Sequence, residues 1–322
     1  LKDNWKLNIN FNYQNLKSDN FRRINDLLGA NYANNLNAFN NDTQYNVDDP
    51  NTQVRVGDRT QYSYELTRNH YSLNVSSEVD FNKWNVVASI FSSYSEAYRD
   101  GKFRNAIFLD NSKGKSAIYN ALDAGLKGKI TYKINGKNFI VYNGALFSLA
   151  PTLNEIFINP RMGDFLTPGV KNQVINSNDI SYIMRGQILK LRISGYYTTI
   201  SNSTEISRYY LAVSSNNTGS YNTLVNEAMS GADKRYLGAE LGFDLKVTPT
   251  LNAVGVASVG QYKFTNTPQV YTFDDLNGFR SYGTANIKDY KVAGTPQKAF
   301  SLGLKYNSPK YLSLIHISEP TR

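Results

Sequence analysis

The chain has no cysteine, two histidines and nine prolines in 322 residues. Without cysteine there is no disulfide scaffold, no thiolate zinc site and no cysteine nucleophile. With only His70 and His316, histidine-rich metal centres and a Ser-His-Asp triad have almost nothing to be built from. No run approaches the ~20 apolar residues of a spanning helix, and mean hydropathy is −0.46. That excludes a helical membrane protein but not a membrane barrel, whose strands carry apolar residues only at alternate positions. The net charge of +9 is spread along the chain without a run of five or six like charges, so a nucleic-acid footprint is weak. Aromatic residues, at 13%, are too abundant for a disordered chain. The opening Leu1-Lys2-Asp3-Asn4-Trp5 has no signal-peptide character and runs from a turn into a strand, so the natural N-terminus is expected to lie upstream.

What the sequence has is alternation. Trp5, Leu7, Ile9, Phe11 and Tyr13 are separated by Lys6, Asn8, Asn10 and Asn12. The same period of two recurs in Tyr71–Phe81, Leu122–Ile134, Leu189–Tyr197, Leu237–Val247 and Phe300–Tyr306. One apolar and one polar face is the pattern of a pleated strand between two different surroundings. The only modest helical candidate is Ile24 to Phe39, inside a long connection.

Tight turns are expected at Asn82-Lys83, Asn135-Gly136-Lys137, Arg185-Gly186, Thr248-Pro249 and Asn307-Ser308-Pro309, with Lys2-Asp3-Asn4 as another. Between them lie long polar connections, roughly Ser18–Thr60, Tyr98–Ser116, Pro151–Gln173, Ser201–Lys234 and Thr265–Lys298. The fold class that follows is all-β: about ten antiparallel strands in an up-and-down meander, a partial transmembrane β-barrel with short turns on one rim and long loops on the other. Alternation alone fits any half-buried sheet, but outer-membrane barrels are the β proteins that segregate short and long connections this way. Trp5, Phe81, Trp84, Tyr132, Phe139 and Tyr306 cluster near the tight turns, as an interfacial girdle would.

Candidate chemistry is sparse. His70, in Arg68-Asn69-His70-Tyr71 above a strand, is a lone histidine. Asp48-Asp49 and Asp274-Asp275 lie in long loops without EF-hand spacing, so they read as solvated carboxylates rather than Ca²⁺ ligands. No catalytic, cofactor-binding or metal-binding residues are assigned, and an enzyme is not expected. Lys127, Lys129, Lys133, Lys190 and Arg192 share the polar face of their strands. In a barrel they face the lumen, either steering anions or hydrogen-bonded to a plug or water, the second being favoured.

From Ala150 onward the sequence resembles a known family. Ala150-Pro151-Thr152-Leu153-Asn154-Glu155-Ile156-Phe157, then Asn159-Pro160, Thr167-Pro168-Gly169-Val170-Lys171 and Ile180-Ser181-Tyr182, is similar to the barrel of TonB-dependent outer-membrane receptors. The family's closing Pro-Glu of the turn is Asn172-Gln173 here. Tyr236–Phe243 with Thr248-Pro249-Thr250-Leu251 resembles its Gly-x-Glu strand and Thr-Pro-x-Leu turn. Thr295–Tyr306 resembles its Ser-Leu-Gly-Leu-x-Tyr strand, in a style closest to the Bacteroidota branch. The resemblance covers Ala150 to Tyr306; the first half agrees in architecture. It implies a cell outer membrane location and energy-coupled uptake of a small nutrient. It also implies a partnership with the TonB complex through a plug domain that this barrel fragment lacks, contact with outer-membrane lipid, and no nucleic acid. No cofactor is implied. A passive porin-like channel and a soluble secreted β-sheet binding protein or adhesin are the alternatives. The loops Ser18–Thr60 and Ser201–Lys234, rich in Asn, Ser and Tyr, are expected to select the ligand.

The last eleven residues, Leu312 to Arg322, back-translate without mismatch to a transposase adapter used in sequencing libraries. Residues 1–311 are therefore expected to be receptor barrel and 312–322 not native, which removes His316 from any chemistry.

Overall fold

The computed structural model describes residues 4–37, 42–215 and 219–307. The tail, the turn at Ser308-Pro309, Lys2-Asp3 and His316 lie outside the described residues. The first strand is β1 (Trp5–Arg23), followed by four two-residue strands: β2 (Ala33–Asn34), β3 (Leu36–Asn37), β4 (Thr43–Gln44) and β5 (Gln53–Val54). Then come β6 (Arg59–Phe81), β7 (Trp84–Gly101), β8 (Gly114–Lys115), β9 (Tyr119–Lys133) and β10 (Asn138–Leu149). A four-residue helix, α1 (Leu153–Ile156), precedes β11 (Gln173–Arg185), β12 (Leu189–Ser215), β13 (Gly219–Lys246) and β14 (Leu251–Phe264). The chain closes with β15 (Gln269–Asp274), β16 (Gly278–Thr284) and β17 (Lys298–Tyr306).

One sheet carries the fold, in the order β1-β6-β7-β9-β10-β11-β12-β13-β14-β17, every pair antiparallel. This is the expected meander. Its two edges, β1 and β17, are not paired with each other. The turns after β6, β9, β11 and β13 are short and share one rim. Each has its own local chemistry. Asn82 supplies a left-handed residue (φ 49°), which Asn tolerates better than most. Asn135 Oδ1 accepts from the N–H of Lys137 (2.9 Å) and Asn138 (3.0 Å). Thr248 Oγ1 accepts from the Leu251 N–H at 3.0 Å.

Several expectations are corrected. The described residues of Ser201–Lys234 are not loop: β12 and β13 run on through 201–215 and 219–234 as paired strands, with register shifts at Ser203. Polar composition hid these strands because past the apolar band a strand needs no apolar face. Ile24–Asn37 forms no helix, only turns, β2 and β3; Phe39 lies outside the described residues. His70 sits within β6, not above it, with Nδ1 2.8 Å from Ser95 Oγ.

Register assigns the two faces. Trp5, Leu7, Ile9, Phe11 and Tyr13 pair with Val79, Ser77, Val75, Leu73 and Tyr71, and the face continues through Ile90, Leu126, Leu146, Ile180 and Ile193 to Leu241. It holds large exposed apolar side chains such as Ile9, Leu122, Leu237 and Leu302. Such an extent of exposed apolar surface requires a covering medium. Leu189, Leu191, Leu237, Leu241 and Leu302 all lie on it, and Lys190, Arg192, Glu240 and Lys305 on the other.

Aromatic rings bound this apolar face. Near the short turns are Trp5, Phe81, Trp84 and Tyr132, the last two with ring centroids 4.7 Å apart. Phe139 is off this girdle, because it pairs with Lys133 and Ile183 on the polar face and lies under Arg185 at 5.2 Å. A second ring closes the top: Tyr13 stacks on Tyr71 (4.9 Å), and Tyr94 donates to Asn120 (3.0 Å). From Trp5 to Tyr13 a strand tilted by ~40° climbs roughly 20 Å, close to the ~25 Å apolar band of outer-membrane barrels.

The sheet curls toward its polar face. Phe157 packs with Tyr64, Leu66 and Ala97 on β6 and β7, while its neighbour Ile158 packs with Ala228 on β13 and Phe273 on β15. Strands β9 to β12 separate β7 from β13, so a flat sheet would hold them about 24 Å apart at ~4.8 Å per step. Two adjacent residues touch both only if the sheet is rolled.

Candidate functional site

The rolled wall is capped at its upper mouth by the long connections, and these are built as one assembly. The segment 150–172 reaches inward rather than out into solvent. Its entry is fixed by α1, where Glu155 Oε2 accepts from the Thr152 N–H at 2.6 Å. A carboxylate three residues after a Thr satisfies a donor that a helix start leaves unpaired, which is what the Pro-Thr-x-x-Glu spacing provides. Asp123 on β9, 2% exposed, ties both ends of the segment by accepting from the Ala150 N–H (2.8 Å) and Asn172 Nδ2 (2.7 Å).

Arg99 is the buried cation of this cap. At 2% exposure it donates through Nε to the Pro160 carbonyl (2.7 Å) and through Nη1 to the Ser112 carbonyl (2.8 Å). Its guanidinium lies 5.3 Å from the Tyr64 ring centroid. One side chain on β7 thus joins the 102–118 and 150–172 connections. Gly101 permits the return of the first, since a Cβ there would meet the Ser112 carbonyl oxygen at 1.8 Å. Val47 and Ala106 N–H groups cross-link the 24–58 connection to the same loop, and Asp48 pairs with Arg104 and Lys113.

An aromatic cluster fills the opposite side. Phe273, fully buried, lies 4.6 Å from Phe165 and 5.1 Å from Phe279, and Phe108 lies 5.0 Å from Phe165. Beside it Asp275 accepts from Asn159 Nδ2 (2.7 Å) and faces Arg161 Nη2 at 3.4 Å. Burial pushes the Asp275 carboxyl above its ordinary value, against the opposing pull of Arg161 and Asn159. Asp274 is held separately, accepting from the Leu276 (3.0 Å) and Asn277 (2.8 Å) N–H groups. Among the described residues, no group of three or more His, Asp or Glu side chains is placed to hold a metal ion.

Below the cap the polar wall is exposed on the concave side of the sheet. A hollow of about 270 Å³ is lined by Lys127, Lys129, Asn143, Ser177 and Asp179. The Lys127 ammonium sits beside the Phe91 and Phe147 rings, 5.6 and 4.8 Å from their centroids. Lys133 pairs with Asp80, and Arg192 donates to Ser194 at 3.1 Å. The basic residues singled out in the sequence do share this wall, though partly neutralised.

No family model and no curated protein matches the chain. Solved structures do. The ferric-catecholate import receptor Fiu of E. coli K12 aligns with a TM-score of 0.52 at 12% identity, covering 93% of this chain and 45% of that one. The fold is that of a TonB-dependent receptor barrel. The FrpB iron transporter of Neisseria meningitidis (TM-score 0.43, 11% identity, 65% and 30% covered) and the copper transporter OprC (0.40, 12%, 83% and 48%) also align. The chain thus spans less than half the length of each of these TonB-dependent receptors.

Against that barrel fold, sequence reasoning located the mouth segments but missed the parts that Arg99, Asn159 and Arg161 play in holding them together. The signal available was Asn159-Pro160-Arg161, directly after the Pro-Thr-x-x-Glu step. Asp275, read as solvated, is half-buried against Asn159 and Arg161.

Proposed function

We propose that residues 1–311 form part of the barrel wall of an outer-membrane receptor, not an enzyme, that imports a scarce small nutrient with energy delivered through TonB. Residues 312–322 are read as adapter translation. The wall and the mouth bind the ligand; a plug domain encoded outside this chain fills the lumen, contacts TonB and gates passage. One observation supports this reading above others: the mouth segment 150–172 folds inward across a polar concave wall whose convex face is apolar. A soluble β-sheet binding protein has no use for that apolar face. A wide barrel leaks unless its lumen is filled, so import has to be gated.

The test is growth. A strain that depends on the complete receptor for a limiting nutrient is expected to lose uptake when TonB is deleted. Growth at the parental rate without TonB would refute the receptor reading and favour a passive channel.

A further inference from the structure

Three arginines, Arg22, Arg161 and Arg208, gather around the Tyr45 and Tyr64 hydroxyls at the mouth. Arg208 on β12 pairs in register with Asn226 on β13, which in turn pairs with Phe273, two residues before Asp275. Arg161 approaches the same Asp275 from the 150–172 segment. Both arginines lie near enough to Tyr64 for their charge to act on its hydroxyl, and Arg22, held by Gln61, and Arg161 act likewise on Tyr45. Asp275 is the carboxylate facing this group, because Asp274 is committed to Arg280 and to its own turn.

The hydrogen bonds are incomplete in a way that points to a ligand. Arg161 meets both Asp275 oxygens only at 3.4 Å, long for a charge-assisted pair. Among the described residues Arg208 has one partner, Asn226 Oδ1 at 3.0 Å through Nε, leaving both terminal nitrogens unengaged. Asn159 and Asn226 are each 1% exposed, yet Asn159 Oδ1 and Asn226 Nδ2 have no partner. Buried polar atoms are rarely left unmatched without a reason. Guanidinium forks with free N–H groups, beside a buried amide donor and phenol hydroxyls, match a multivalent oxyanion. A cation would be repelled, and a neutral ligand would leave the guanidinium groups uncompensated.

We propose that Arg161, Arg208 and Asn226 form the entry docking site for a polyanionic ligand bearing phosphate or carboxylate groups, with Asp275 as the internal carboxylate that the ligand displaces from Arg161. The proposal rests on the receptor reading, and names the substrate class for it. In the docked state the ligand's oxygens take the Arg161 fork and the free Arg208 N–H groups. Asp275 keeps its bond from Asn159.

The test uses the complete receptor in detergent, titrated calorimetrically with inorganic pyrophosphate and with citrate. The two probes separate a phosphate from a carboxylate preference, and either one binding supports the site. Arg161→Gln and Arg208→Gln are each expected to weaken binding roughly tenfold or more, and Asp275→Asn to strengthen it. Arg185→Gln, over Phe139 at the opposite rim, is expected to leave binding unchanged. Arg208 is exposed on its strand, so its variant reports even if the Arg161 variant fails to assemble. Absence of binding by both probes at about 10 mM, a range weaker than a millimolar site, would overturn the proposal. So would unchanged affinity in the Arg208 variant, or weakened affinity in Asp275→Asn. TonB-dependent uptake persisting beside such a result would sink this site alone and leave the receptor reading intact.

Discussion

Placing one arginine on each face of β13 tests the assignment of those faces. Leu241 lies between Ile193 and Ala257 on the apolar face, five residues above the end of β13 at Lys246. At ~3.4 Å per residue and a tilt near 40°, that is roughly 13 Å above the lower rim, the middle of a ~25 Å band. Leu241→Arg is therefore expected to cost about 2–4 kcal/mol, or roughly 30- to 900-fold in the folding equilibrium. Glu240 faces the other way, between Ser194 and Ser258, with Arg192 nearby. Glu240→Arg adds like-charge repulsion of about 0.2–1 kcal/mol without lipid exposure. Urea titration of the complete receptor refolded into phospholipid bilayers, followed by heat-modifiable gel mobility, measures both. Equal losses, or a larger loss for Glu240→Arg, would refute the membrane-facing assignment.

Phe157 is fully buried between the mouth segment and the β6–β7 wall, so Phe157→Ala is expected to cost about 3–5 kcal/mol. The loss should appear as faster amide exchange across 150–172 with protection of the lower barrel unchanged; uniform loss would refute a separate cap. Asp275, facing Arg161, Asn159, Asp274 and the Tyr45 phenol, has a carboxyl raised by burial. A raised acid favours the folded cap below the ordinary aspartate value near 3.8 and loses that contribution as pH rises through the folded-state value. Amide exchange at the mouth should therefore quicken as pH climbs through that window, beyond the intrinsic rate change, and Asp275→Asn should flatten the trend. A trend of the opposite sign would refute the burial argument.

Much of the wall was legible because period two is a local property. Each strand from Trp5 to Tyr306 shows which side chains share a face, and turn residues such as Asn82, Asn135 and Thr248 mark where strands end. Legibility stops where polarity no longer alternates. Beyond the upper tyrosine ring both faces of a strand meet water or other loops, so β12 and β13 past Ile200 look like connection. Phe139 looked like girdle from its nearness to a turn, but one residue of register decides the face. The mouth was the least readable part. Arg99 touches carbonyls at Ser112 and Pro160 that are far from it in sequence, and no local pattern announces such contacts. Asp274 and Asp275 look alike in sequence, yet the backbone holds one in its own turn and turns the other toward Arg161.

That division bears on where selectivity resides. The Asn- and Tyr-rich composition of Ser201–Lys234 suggested a freely adaptable binding loop. Its described residues instead continue the wall as paired strands, and the inward residues Ile206 and Ala228 support the cap from one side. The 24–58 connection supports the cap from the other, through the Val47 and Ala106 N–H bonds and the Asp48 pairs. Removing either would then act on a ligand twice, by deleting contacts and by releasing 150–172 from the position that aims Asn159 and Arg161 inward. A site held this way is preorganised by its neighbours. Its ordering cost is met mostly in folding, so a docked ligand has little further chain to order.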